Sequence, residues 1–223
     1  YRIAFSADVQ GNDIYTAAMS TEERYEAAKA AARGYLEAAG FTMVDGVATA
    51  APEGARLSYE VVIPGDGIGD HPSFAVLTDA KAMLAEMGIE LKINDPADSN
   101  VLWDGLDAGT IDMWCAAWGS TIDPDMYQIY FSGNIAGLGG SDSNHYHIQS
   151  AALDDMVIKA RRSDDQAYRK EMYKACLDEI MDWAVEVPVY QRQNINIASS
   201  QRVDTTTVIP DVTTYWLWLA EVD

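Results

Sequence analysis

The sequence predicts an α/β fold with a mixed, mostly parallel sheet flanked by helices. Short segments in which apolar and polar residues alternate, as in strands, are followed by segments whose apolar residues recur at helical spacing. This order of strand and helix is typical of parallel sheets. Capping residues and glycines separate the segments at helix starts and ends. Hydrophobic residues make up 48% of the 223 residues, which is enough apolar area for a packed core.

Residues 1–56 are predicted to form a lead-in with one helix. Ser20 and Glu23 have the spacing of a capping box, in which each side chain binds the other residue's amide. An alanine-rich helix follows, and Gly40 suits the left-handed position just after a helix end. Residues 45–56 carry glycine and proline without a period, so we expect a loop there.

From residue 57 onward the alternation of strands and helices becomes regular. Runs of alternating apolar residues predict strands, and apolar residues three and four apart predict helices. The predicted order is a strand at 57–63, a helix at 73–87, a strand at 89–93, a short helix ending at 109, a strand at 111–118, a helix reaching 131, a polar loop at 132–149, helices at 151–161 and 164–183, and a strand at 185–190.

Three of these helices have recognisable start signals. Either Asp98 or Ser99 is expected to cap the short third helix. Asp123 stands before a proline, which suits the cap and first position of the next helix. Ser163 and Gln166 have the spacing of a second capping box.

The near-continuous apolar run at 111–118 predicts a strand covered on both faces, with Asp112 near one end. Trp118 ends this run where a small polar loop begins. Ligands of open α/β sheets gather at the carboxyl ends of strands, so Trp118 is our aromatic candidate for ligand contact. For the other aromatic candidates, core packing is the favoured interpretation; these are Tyr15, Trp103, Trp114, Tyr127 and Tyr130.

The charge is strongly acidic, with 35 Asp and Glu against 15 Lys and Arg and a formal net charge of −20. Such a surface repels phosphate backbones, so nucleic acid is excluded as a partner. An anionic membrane surface is disfavoured for the same reason. No apolar run reaches the ~18 residues that a transmembrane helix needs.

The two cysteines do not constitute a disulfide scaffold. Cys115 lies in an apolar run and Cys176 in a helical pattern, so two buried thiols are favoured over one disulfide. The chain starts at Tyr1 without a basic or apolar leader, so we expect any targeting signal to have been removed or to lie outside it.

Weak motifs for bound groups occur in two loops. The Gly-rich segment 65–69 follows a strand, but it lacks the spacing of a phosphate-binding loop. Asp66 and Asp70 lack the ligand pattern of an EF-hand. His145 and His147 form a pair without an assured third metal ligand. We therefore predict no metal and no cofactor.

A hydrolase is the alternative enzymatic hypothesis, in which Asp123 and Asp125 act as a carboxylate pair. A helix cap explains both residues more simply, and no G-x-S-x-G nucleophile elbow is present. A third hypothesis is an interaction module that uses the aromatic cluster at 215–218.

Several short segments follow one another in a distinctive order over residues 57–192. They are Leu-Ala-Glu-Met-Gly-Ile-Glu-Leu at 84–91, Leu-Asp-Ala-Gly-Thr-Ile-Asp-Met at 106–113, Trp-Gly-Ser-Thr-Ile-Asp-Pro-Asp at 118–125, Leu-Asp-Asp-Met at 153–156, a helix ending near 183 and Val-Pro-Val-Tyr at 187–190. In this order they resemble the C-terminal lobe of the family 5 extracellular solute-binding proteins, which are the oligopeptide and dipeptide receptors of ABC importers. Ala-Gly-Phe at 39–41 fits the lead-in to that lobe.

This resemblance implies a non-catalytic, two-lobed receptor that closes on a ligand and delivers it to ABC permease subunits. The fold would be a type II periplasmic-binding-protein-like lobe over residues 57–193. Residues 194–223 would be a C-terminal tail that returns toward a missing N-terminal lobe. The implied location is extracellular, either periplasmic or on a cell-surface lipoprotein whose lipid anchor lies outside this fragment.

The resemblance also implies ligand-binding positions. The stretch Trp118, Gly119, Ser120 and Thr121 would lie along a bound peptide backbone and pair with it as an added strand. Asp123 belongs to the same segment, within the Asp-Pro pair. Two further positions, Ser99 and Arg192, match family contact positions.

One position departs from the family pattern. Peptide receptors place an aspartate shortly before the Asp-Pro pair, where it binds the peptide's free amine. Ser120 or Thr121 stands there in this sequence, and a hydroxyl cannot neutralise an ammonium group. The resemblance therefore leaves a peptide, a sugar or a nickel complex open as the ligand.

Overall fold

The computed structural model describes residues 18–119 and 123–187, together with residues 189, 201, 202, 204 and 206. Of these, 18–119 and 125–187 belong to one compact unit by their contacts. The remaining described residues belong to a second unit, in which the Thr206 amide donates to Asp204 Oδ1 at 2.9 Å.

The main unit confirms the α/β prediction. A parallel three-stranded sheet has the order β4-β3-β5, and a separate hairpin pairs β1 with β2. The strands and helices, in chain order, are α1 (Thr21–Ala38), β1 (Thr42–Val44), β2 (Val47–Ala50), β3 (Ser58–Val62), α2 (Pro72–Glu86), β4 (Glu90–Asn94), α3 (Asn100–Asp107), β5 (Met113–Trp114), α4 (Tyr127–Tyr130), a 3₁₀ turn (Ser132–Asn134), α5 (Ala151–Arg162) and α6 (Gln166–Trp183).

Helix α1 begins with the predicted capping box. The Glu23 amide donates to Ser20 Oγ at 3.2 Å, and the Ser20 amide donates to Glu23 Oε2 at 2.7 Å. These two bonds satisfy amides that have no partner within the helix. Gly40 follows the helix with φ +90°, as its predicted left-handed position requires.

Helix α3 is capped by one of its two predicted residues, whereas α4 and α6 begin two or more residues later than predicted from Asp123 and Ser163. Asp98 Oδ1 accepts the Asn100 amide at 2.9 Å at the start of α3, whereas Ser99 makes no side-chain capping bond. Helix α6 is capped by Asp165, whose carboxylate accepts two amides, so the second capping box at Ser163 was wrong. An ionised carboxylate is a stronger acceptor than a hydroxyl at a helix N-terminus.

The region 45–56 contains a hairpin where we predicted only a loop. Asp45 and Gly46 both have positive φ, at 52° and 78°, which matches the mirror-image turn of two-residue hairpins. The Ala48 amide in β2 donates to the Met87 carbonyl at 2.8 Å, so the hairpin packs against the end of α2.

The predicted strand at 111–118 is reduced to two residues, and it is not covered on both faces. Met113 is 39% exposed and Trp118 is 51% exposed. β5 is an edge strand that pairs only with β3 among the described residues, so one side of the apolar run has no sheet partner. The described residues of 185–190, which are 185–187 and 189, are likewise not in a strand.

Two apolar clusters support the unit. One joins α5 and α6, and the other lies where α3 packs on the end of β3. The first consists of Ile148, Leu153, Val157, Ala160, Tyr173, Cys176 and Ile180, and the second of Val62, Leu102 and Leu106. Within the described segments, no helix combines the length and apolar character needed to cross a bilayer.

The two cysteines are free, and they differ in burial. Cys176 is fully buried, whereas Cys115 is only partly buried. Burial raises the pKa of the Cys176 thiol to about 11. At pH 8 about one Cys176 side chain in a thousand is then the reactive thiolate.

We therefore expect a thiol reagent at pH 8 to label Cys115 rapidly and Cys176 only as the chain unfolds. Mass spectrometry of the labelled chain over time measures both rates. In a Cys115→Ser variant, labelling should be slow and should accelerate in urea. Rapid labelling of this variant in buffer would show that Cys176 is accessible.

Candidate functional site

Aromatic side chains surround a small cavity just beyond the carboxyl end of β5. The cavity has a volume of about 90 Å³. Ala116 and Ala117 contribute methyl groups to its lining. The rest of the lining is aromatic and consists of Trp103, Trp114, Trp118, His145 and Tyr146.

The sheet and α3 position two of the indoles. Trp114 is paired with Val62 in the parallel register of β5 and β3, and the following amide, of Cys115, donates to the Val62 carbonyl at 3.0 Å. Trp103 projects from α3, whose buried residues Leu102 and Leu106 fix the helix on the sheet. These side chains therefore stand on regular elements, which hold binding groups more precisely than loops do.

The other wall comes from the polar loop at 132–149, and two buried asparagines organise it. Asn144 is 1% exposed, and its Nδ2 donates to the carbonyls of Phe131 at 3.2 Å and Ile148 at 3.1 Å. Asn134 is 3% exposed, and its Oδ1 accepts the Ser141 amide at 3.1 Å. Because side-chain amides replace missing backbone partners, the loop is held without regular secondary structure.

Tyr146 connects this wall to the interior. Its ring lies 5.2 Å from that of Trp114 and stacks on Tyr130 at 5.6 Å between centroids. The Tyr130 hydroxyl donates to Glu186 Oε2 at 2.5 Å. Burial raises the pKa of both tyrosines well above the usual range, and the Glu186 carboxylate raises it further. The Trp118 side chain has the opposite effect and lowers the pKa of Tyr146.

A wider groove of about 520 Å³ continues from the same wall. It shares Trp114, His145 and Tyr146 with the small cavity and reaches Val185 and Val187. The groove and the aromatic cavity therefore share one wall.

The structure brings some of the predicted ligand contacts to this cavity. Trp118 lines it, and Gly119 follows in open space, because a Cβ at Gly119 would meet no atom within 4 Å. Ser99 does not line the cavity, although its helix supplies Trp103. Asp123 is exposed and belongs to the second contact unit. Ser120, Thr121, Arg192 and the aromatic residues Tyr15 and 215–218 lie outside the described residues.

Sequence reasoning considered His145 only as a weak metal ligand, and it missed Tyr146 as part of the site. The available signal was a pair of aromatic rings inside a long loop, since such loops are commonly functional. It also assigned Trp103 and Trp114 mainly to the core, whereas both line the cavity.

One carboxylate of the hydrolase hypothesis, that of Asp125, has local structural partners. Asp125 Oδ1 accepts the Tyr127 amide at 3.0 Å, and Asp125 Oδ2 lies 3.3 Å from Arg161 Nε. The Arg161 guanidinium also lies 4.5 Å from the centroid of the Tyr127 ring. Asp125 therefore stabilises the start of α4 and its packing on α5.

Two backbone amides of the Gly-rich loop after β3 are hydrogen-bonded within the protein. The amides of Gly67 and Gly69 donate to the Asp95 carboxylate at 3.3 and 2.8 Å, so a protein carboxylate takes the place that a phosphate would need. Within the described ranges, no three His, Cys, Asp or Glu side chains come together as metal ligands.

No protein-family model matches the chain, and a comparison with curated proteins finds none that is similar in sequence. Solved structures are similar in fold. NikZ from Campylobacter jejuni in complex with Ni(L-His) superposes with a TM-score of 0.55 and 23% identity, over 70% of this chain and 30% of NikZ.

Two further structures show the same likeness. The oligopeptide-binding protein AppA from Bacillus subtilis, in complex with a nonapeptide, has a TM-score of 0.55 and 16% identity over 78% of this chain and 33% of AppA. The ABC transporter-associated periplasmic binding protein DppA from Helicobacter pylori, in complex with the peptide STSA, has a TM-score of 0.50 and 23% identity over 79% of this chain and 30% of DppA.

AppA and DppA are binding proteins and NikZ is in complex with Ni(L-His), and the chain spans about a third of the length of each. At these identities the likeness shows the fold. It confirms the predicted periplasmic-binding-protein-like α/β lobe.

Proposed function

We propose that the chain is the ligand-binding lobe of a solute receptor of an ABC importer, without catalytic activity. The observation that carries the proposal is the aromatic cavity at the carboxyl end of β5, on a fold shared with solute-binding proteins that hold a nonapeptide, a tetrapeptide and Ni(L-His). Ligands of open α/β folds bind at this end of the strands.

In this proposal the ligand is a peptide or a small solute of comparable size, held between this lobe and a second lobe. The receptor works outside the cytoplasmic membrane, and its partners are ABC permease subunits. The open space at Gly119 supports an extended ligand backbone passing beside the strand end, since a glycine permits close approach.

Ligand capture by the full-length receptor tests this function. The purified receptor is denatured, the released small molecules are identified by mass spectrometry, and each is titrated back by calorimetry. We expect a released solute that rebinds unchanged. Chemical conversion of that solute by the receptor, or no solute binding at all, would contradict the proposal.

A substitution at Gly119 tests where the ligand passes. Gly119→Ala should lower the affinity for the captured solute about tenfold, because one methyl group then occupies the contact surface. Calorimetry measures the affinity, and thermal unfolding should be unchanged since the Cβ meets no protein atom.

Gly34→Ala is the matched control, because a Cβ at Gly34 also meets no atom within 4 Å. Its affinity for the solute should equal that of the wild type. Equal affinities for all three proteins would show that the ligand does not approach Gly119.

A further inference from the structure

We propose that the aromatic cavity binds a methylated ammonium group, so that the captured solute carries a quaternary or trimethylated nitrogen. This inference deepens the proposed function by naming the chemical class that the same cavity selects.

The lining favours a cation over an anion. It consists of three indoles, a phenol, an imidazole and two methyl groups, and no Lys or Arg is among these residues. Aromatic faces attract cations through their quadrupole, most strongly in tryptophan.

Negative charge next to the aromatic lining also favours a cation over an anion. The Glu186 carboxylate interacts with both Tyr130 and Tyr146, the latter being a lining residue. The whole chain carries a net charge of −20, which raises the local concentration of cations and repels anions.

No carboxylate is among the lining residues in the part of the chain that the structure describes, and this favours a quaternary ammonium over a primary one. A primary ammonium keeps three N–H donors, which lose their water partners in an apolar cavity and need acceptors there. A quaternary ammonium, such as a trimethylated amine of the type R–N(CH₃)₃⁺, has no N–H donors and presents apolar methyl groups to the rings. The cavity of about 90 Å³ has the volume of about three water molecules, so it suits one such group, with the rest of the solute outside the cavity.

The test compares choline with 3,3-dimethyl-1-butanol, a neutral molecule of the same shape with carbon in place of nitrogen. Both carry a nine-proton methyl signal, so ligand-observed NMR titration of the full-length receptor measures both affinities in the same way. We expect choline to bind about five- to tenfold more tightly than its neutral analogue.

Three variants locate the effect. Trp118→Leu and Trp103→Leu replace exposed lining indoles and should remove most of the preference for choline. Trp183→Leu is the control, since Trp183 is 44% exposed on α6 and does not line the cavity. It should keep the wild-type preference, and thermal unfolding of each variant verifies that it is folded.

Equal affinities for the two probes, or no binding of either, would overturn the ammonium inference. So would a preference for choline that persists in folded Trp118→Leu and Trp103→Leu. These results are separate from the receptor proposal, since a receptor that captures and rebinds an uncharged solute would retain its proposed function while the ammonium inference fails.

Discussion

Replacing Gly88 with alanine should lower the free energy of unfolding by about 3–5 kcal/mol. Gly88 has φ +83°, a conformation that L-residues adopt only with strain. A Cβ at this position would also lie 2.3 Å from the Ala48 carbonyl oxygen, which is backbone and cannot move aside as a side chain can. Urea denaturation of the variant measures the loss.

Gly54→Ala is a closely matched control. Gly54 has the same φ of +83°, but a Cβ there meets no atom within 4 Å. The Gly54→Ala substitution should therefore lower the free energy of unfolding only by the backbone strain, which is about 1–2 kcal/mol. Similar losses at both glycines would show that the hairpin does not press against Gly88.

Local detachment of the hairpin is a second way in which the Gly88→Ala strain could be relieved. Hydrogen exchange at the Ala48 amide distinguishes this case, because that amide donates to the Met87 carbonyl at 2.8 Å. Its exchange should accelerate more than that of amides in α5 if the hairpin separates locally.

Replacing Asn134 with leucine should lower the free energy of unfolding by about 2–4 kcal/mol. It should also weaken ligand binding at the aromatic cavity. Asn134 Nδ2 donates to the carbonyls of Tyr127 at 2.8 Å and Gln128 at 3.1 Å, and Asn134 Oδ1 accepts the Ser141 backbone amide at 3.1 Å. Leucine leaves these three backbone groups without that partner. The loop that carries Tyr146 then loses the contacts of one of its two buried asparagines.

Gln128→Leu is the control for this prediction. Gln128 is exposed, and its side chain makes one long hydrogen bond of 3.4 Å to Ser143. The Gln128→Leu substitution should change the free energy of unfolding by less than about 0.5 kcal/mol. Thermal unfolding and solute titration of both variants measure the two effects, and an Asn134→Leu variant as stable as Gln128→Leu would refute the role of the buried amide.

The helices and the central sheet were predictable because their signals are local. The bonds of the α1 capping box join residues three apart, and the apolar alternation at 89–93 reports directly on a strand with one buried face. The hairpin at Asp45 and Gly46 carried an equally local signal, an Asp-Gly pair, which we treated as an ordinary loop.

The run at 111–118 was misjudged for a different reason. Apolar side chains line ligand cavities as well as cores, so composition does not separate a covered strand from one that opens into a cavity. Only the sheet order, which places β5 at an edge, shows that Trp114 and Trp118 line such a space.

The sequence by itself determined the α/β class, most helix starts, the acidic charge and Trp118 as a ligand candidate, because each depends on residues close together in the chain. The tertiary structure alone decided which distant residues share the cavity. It brings Trp103 of α3, Trp114 and Trp118 at the end of β5, and Tyr146 of the long loop to one wall. Their meeting depends on sheet order and on two buried asparagines, whose partners cannot be identified from neighbouring residues.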